Sequence, residues 1–157
     1  MKKRDIVFFT IFVLLLAVVG CAPGQSAPTG TVTEIVDKVF AVSGVDPFGM
    51  SQSLATDEDK EFFLGSRDYP PFADAVAVMP MINIDTRVLV IVKAASQGDV
   101  EEIKTLLREN IDPNRVVCVT FSLEDVAIES RGDVILMTIN TDAEQRTAMV
   151  DAFASID

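Results

Sequence analysis

The sequence predicts an α+β domain, a mainly antiparallel sheet of about 4–5 strands with helices packed against it. Three observations carry that expectation. Thr31-Val32-Thr33-Glu34 and Thr141-Asp142-Ala143-Glu144 each match a capping box, in which a hydroxyl and a carboxylate satisfy the free amides of a helix start. Arg87–Lys93 is apolar on both faces, the pattern of a central strand covered on both sides. A strand–helix–strand unit is flanked by hairpins, which suggests an α+β sandwich with a mainly antiparallel sheet.

Taken in order, Val32, Ile35, Val36, Val39 and Phe40 form a helical stripe over residues 32–43, with Gly44 placed as a C-cap. Asp46-Pro47-Phe48-Gly49 reads as a turn. Thr56 precedes a short helix, Asp57 to Leu64, whose first-turn acids suit the positive end of its dipole. Tyr69-Pro70-Pro71-Phe72 is a stiff connector into a strand expected over Ala73–Ile82. Pro80 cannot donate to a ladder and is expected at an edge or bulge. Asn83-Ile84-Asp85 turns the chain into the Arg87–Lys93 strand. Gln97-Gly98-Asp99 then opens a helix with the stripe Val100, Ile103, Leu106 and Leu107, stopped by Asp112-Pro113-Asn114. A β-branched run, Arg115 to Phe121, reads as a further strand. Val126–Ser130, the turn Arg131-Gly132-Asp133 and Val134–Asn140 make a hairpin. The closing helix presents Met149, Val150, Phe153 and Ile156.

Composition narrows the function. The 157 residues include 13 Lys+Arg, 24 Asp+Glu and no His, for a net charge of −11. Residues 1–20 carry a local +2, so the remaining 137 residues carry −13. An acidic surface does not displace the counterions of a polyanion, so a nucleic-acid partner is not expected. A composition that is 49% hydrophobic can build a core, so the chain is not a disordered tail.

The N-terminus reads as a processing signal. Lys2, Lys3 and Arg4 form a basic head, and Ile6 to Gly20 is an uncharged run of 15 residues. A permanent span needs about 20, whereas this length suits a signal-peptide core. The run ends in Val18-Val19-Gly20-Cys21, which resembles the lipobox of bacterial lipoproteins. That resemblance implies cleavage between Gly20 and Cys21 and a lipid on the Cys21 thiol. An uncleaved anchor beside a structural Cys21 is the other reading. The expected layout is therefore a signal peptide at 1–20, a lipidated Cys21 with a Pro- and Gly-broken tether to residue 30, and one α+β domain over 31–157. Two acyl chains, at about 0.8 kcal/mol per buried CH₂, anchor a protein without a spanning helix. Cys21 and Cys118 are the only cysteines. Export permits a bridge between them, but lipidation of Cys21 leaves Cys118 as a small apolar filler.

Residues 31–155 also resemble a family of small Gram-positive lipoproteins catalogued as a domain of unknown function. The likeness rests on the first helix, on Phe62-Phe63-Leu64-Gly65, and on Met79-Pro80-Met81-Ile82-Asn83 leading into Val88–Val92. It continues through the helix Val100–Ile111 and Gly132-Asp133-Val134-Ile135-Leu136. Where such relatives carry an aromatic-Pro pair before the last hairpin, this chain has Phe121-Ser122-Leu123. The resemblance implies a lipid anchor and a small α+β fold, and it supplies no catalytic residue.

No residue set points to catalysis, a metal or a cofactor. Without His, Ser triads lose their usual base and a Cys118 thiolate its usual activator. The acidic run Asp57-Glu58-Asp59-Lys60-Glu61 fails as a calcium loop because Phe62 stands where that loop needs Gly. Phe72, Met79 and Met81 read as core, with an adaptable apolar groove as the alternative. The expected function is a membrane-anchored, extracytoplasmic, non-catalytic binding or assembly module on the outer face of the cytoplasmic membrane. Its membrane contact is the lipid on Cys21, and its protein partner is expected to be basic. The alternative is an envelope hydrolase using carboxylate or Ser/Lys chemistry.

Overall fold

Two capped helices and a both-sides-apolar strand set the architecture. The computed structural model describes residues 26–82, 84–114 and 119–157. Thr31 accepts from the Glu34 amide at 3.2 Å and the Glu34 carboxylate accepts from the Thr31 amide at 2.8 Å, starting α1 (Val32–Ser43). Gly44 ends it in the left-handed region. Thr56 and Asp59 repeat the reciprocal pair ahead of α2 (Asp57–Leu64). A 3₁₀ turn at Gln97–Asp99 leads into α3 (Val100–Glu109), and α4 (Ala143–Ser155) closes the fold.

The strands are β1 (Met50–Ser53), β2 (Phe72–Met79), β3 (Val88–Ala94), β4 (Val126–Arg131) and β5 (Val134–Ile139). They form one antiparallel sheet in the order β1-β2-β3-β5-β4. The expected α+β fold is what the chain adopts. Period-two alternation divides the core into two layers. Val76, Val78, Leu89, Ile91, Val134 and Leu136 meet α1 and α4 on one face. Ala75, Ala77, Val90, Val92, Ile135 and Met137 meet Leu64 of α2 and Ile103 and Leu107 of α3 on the other. The sheet thus lies between two helical layers, so β3 sits at its centre with Leu89 to Val92 fully buried. Val88, expected to be buried with them, is half-buried at the strand's start.

The structure corrects further expectations. Met50–Ser53, just after the Asp46–Gly49 turn and assigned no element from sequence, is an edge strand; all four residues are exposed, so no alternation marks it. Gly49 permits its close approach, since a Cβ there would fall 2.1 Å from the Met79 carbonyl oxygen. β2 stops at Met79 rather than Ile82, because Pro80 has no amide to continue the ladder. The strand expected over 115–121 lies partly outside the described residues, and Val119–Phe121 have no strand structure. β3 is paired instead with β5, from Val88 to Lys93. Finally, α4 is capped by Asp142, not Thr141: its Oδ1 accepts from the Glu144 and Gln145 amides at 3.0 and 3.1 Å.

The two ends of the sheet differ. At the hairpin end, Gly132 and Asp133 join β4 to β5, and Ala27 lies against Gly132. Ala27 packs on the core and Pro28 is buried, while Lys38 Nζ donates to the Thr29 carbonyl at 2.9 Å. Arg131, expected in the turn, is instead the last residue of β4 and buried. Its Nη1 donates to the carbonyls of Phe153 (2.9 Å) and Ile156 (2.5 Å), joining the hairpin to the negative end of α4. The opposite end gathers the β2–β3 connection, residues 119–125 and the β5–α4 connection.

Candidate functional site

At that opposite end, an open groove runs between the β2–β3 connection, Val119-Thr120 and the start of α4. Its floor is polar. Asp85 and Arg87 alternate along an extended segment and so point the same way. Arg87 Nη2 donates to Asp85 Oδ2 at 2.6 Å, Nε reaches both carboxylate oxygens at 3.0 Å, and the Arg87 amide adds 2.9 Å to Oδ1. The guanidinium is also stacked on the Phe48 ring, 4.8 Å from its centroid. Hydrogen bonds from Arg87 hold the Asp85 carboxyl below the usual carboxylate range, and the Asp85 carboxylate raises Arg87. Both therefore stay charged near neutral pH.

Asn140 anchors the other wall and is buried. Its Nδ2 donates to Gln145 Oε1 at 3.2 Å, its Oδ1 accepts from the Asp142 amide at 3.0 Å, and its amide donates to the Asp125 carbonyl at 3.0 Å. Arg146 donates to the Asn140 carbonyl and approaches Asp125 at 3.6 Å. These bonds fix the path from β5 into α4 and leave Asn140 committed to the scaffold.

Apolar side chains sit beside this polar floor. Ile82 and Ile84 line the groove and are 57% and 68% exposed, and the neighbouring Met81 is 77% exposed. Beneath, a separate apolar cavity of about 40 Å³ is lined by Met79, Val88, Met137, Ile139 and Phe121 among others, and Thr86 borders both spaces. Ligand sites are on the order of 300–1,000 Å³, so this cavity admits a few waters or one small side chain, not a metabolite. The outer groove, at about 490 Å³, has room for an extended peptide segment.

Several carboxylates are tuned by their surroundings, and each moves the same way. The Thr31 amide lowers Glu34, the Thr56 hydroxyl lowers Asp59, and Arg87 lowers Asp85. A general acid needs the opposite shift. Among the described residues no group of three or more His, Cys, Asp or Glu is arranged to hold a metal ion. The arrangement offers recognition: fixed charges, exposed aliphatic surface and the Thr120 and Thr141 side chains along the groove.

Gly20, Cys21 and Cys118 lie outside the described residues. Of the apolar residues singled out from sequence, Met79 reaches the cavity and Met81 the exposed connection, while Phe72 packs 5.6 Å from Tyr69 and under Lys60 Nζ. They do not form one groove. Sequence reasoning missed Asp85, Arg87 and Asn140. The i, i+2 spacing of Asp85 and Arg87 ahead of a strand was the available signal. No protein-family model, curated protein or solved structure matches this chain.

Proposed function

We propose that the protein is a membrane-anchored, extracytoplasmic binding or assembly module that works without catalysis. The basic head, the 15-residue apolar run and the Gly20-Cys21 junction support cleavage before Cys21 and lipid on its thiol. The observation that carries the binding reading is the exposed pair Ile82 and Ile84, set beside an Asp85–Arg87 ion pair already closed on itself. Aliphatic surface next to saturated charges favours adhesion over proton transfer. With a lipid at Cys21, the six-residue step to Ala27 spans at most about 20 Å. The hairpin end, where Ala27 packs, is then the end nearer the anchor, and the groove lies at the other end of the sheet.

Intact-mass spectrometry of membrane-extracted protein tests the anchor: the expected chain starts at Cys21 with added acyl mass, and Cys21→Ser stays unprocessed. Peptidase, esterase and glycosidase substrates test the absence of catalysis. Turnover abolished by one carboxylate or Ser substitution would overturn the binding reading in favour of an envelope hydrolase.

A further inference from the structure

We propose that the groove docks an extended segment of a partner protein in which aliphatic residues alternate with Lys or Arg. This deepens the binding reading and rests on it. The apolar half of the argument is Ile82 and Ile84, whose side chains stay in water on the groove wall. Covering them by a partner removes apolar surface from water, which favours association.

Charge selects the occupant. Arg87 is shared between this groove and the adjoining one that runs past Asp46 and Glu144. Among the described residues along the two, the carboxylates of Asp46, Asp85, Asp142 and Glu144 accompany the cation Arg87, which Asp85 already neutralises. Arg146, close by, is opposed by Asp125. Among these described residues the excess charge is negative, and Asp46, Asp142 and Glu144 are all exposed. An anionic bilayer or an acidic peptide meets repulsion here, and a second copy brings the same acids to the same acids. A cationic-aliphatic strand meets apolar surface at Ile82 and Ile84 and carboxylates on either side.

The test is site-specific photo-cross-linking in cells expressing the full chain, with benzoylphenylalanine at position 84 and, as control, at the exposed Glu102 on α3. Cross-linked peptides are then sequenced by mass spectrometry. The expected product from position 84 is a peptide of another protein with two or more Lys or Arg interleaved with aliphatic residues. A synthetic copy of that peptide should bind the purified full chain at least tenfold more weakly at 0.5 M than at 0.05 M salt, since screening shortens to a few ångströms. It should also lose at least tenfold in affinity for Glu144→Lys and for Ile84→Ser, each shown to be folded by its thermal transition. An adduct to lipid, to a second copy or to an acidic segment overturns the proposal, as does no adduct above the Glu102 control or affinity unmoved by both variants. Loss of the anchor is read separately from the intact mass, so failure at Cys21 and failure at the groove are distinguishable.

Discussion

Arg87 closes on Asp85, two residues earlier, through its Nε, its Nη2 and its own backbone amide, so one carboxylate receives both charge and backbone. This fixes the approach to β3 just after the connection in which Met81, Ile82 and Ile84 are exposed. The folded pKa of Asp85 lies below its unfolded value. Its contribution to stability is then complete above the unfolded pKa of about 3.9 and is lost as the pH falls through the lower folded value.

Asp85→Asn should therefore flatten the acid limb of the stability curve and cost about 1.5–3 kcal/mol at neutral pH, the range for hydrogen bonds to charged groups. Denaturant midpoints measured between pH 7 and about pH 3 check both. A variant with an acid limb parallel to the parent would show that Asp85 is not the linked group.

Tyr69 gives a second pH signature at the other extreme. Its hydroxyl donates to the Leu64 carbonyl at 3.0 Å, where α2 ends, and burial pushes its pKa up to about 12. An unfolded tyrosine ionises near pH 10. The folded state holds the proton more tightly, so this contribution is whole below about pH 10 and lost as the pH rises toward the folded value. The chain has one tyrosine, so the phenolate absorbance band reports it alone. Folded protein should titrate near 12, denatured protein near 10. Tyr69→Phe should cost about 0.5–1.5 kcal/mol and remove the alkaline fall-off.

The parts of the fold legible in sequence are those whose cause is local. Thr31, Glu34 and Gly44 announce α1 because capping is settled within one turn. Leu89 to Val92 announce β3 because burial on both faces leaves no polar residue in the run. β1 is illegible for the complementary reason: Met50–Ser53 is exposed on both faces and held by its ladder to β2 alone. The neighbours of β3 depend on which chain segment arrives at its free edge, here β5, and local pattern does not record that. The groove was hidden in the same way. Ile82 reads in sequence as the end of a strand and Ile84 as part of a turn, and with β2 stopping at Met79 both stand exposed beyond the sheet.

Leu89 tests the core. It is fully buried at the middle of the sheet, against the α1 and α4 layer. Leu89→Ala should cost about 2–5 kcal/mol, with the upper part expected where neighbours on a rigid sheet cannot collapse into the space. The denaturant midpoint should fall while the slope stays constant. An unchanged midpoint would contradict the central position of β3.

Gly132 joins the hairpin to the entering chain, and two separable costs attach to replacing it. Its φ is +55°, a region that costs an L-residue about 1–2 kcal/mol and that Asn tolerates better than Ala. A Cβ at this position would also lie 2.9 Å from the Ala27 Cβ and 3.0 Å from the Ala27 amide nitrogen. Gly132→Ala should therefore lower stability and displace Ala27 and Pro28, exposing the chain ahead of α1 to protease. Gly132→Asn relieves the backbone cost but not the contact, and Ala27→Gly relieves part of the contact but not the backbone cost. The two costs predict that Gly132→Asn recovers some stability while remaining protease-sensitive near Ala27. Gly132→Ala combined with Ala27→Gly should regain part of its protection. Limited proteolysis alongside thermal unfolding of these variants separates the costs, and equal protease resistance in all of them would rule out the packing of Ala27 against the hairpin.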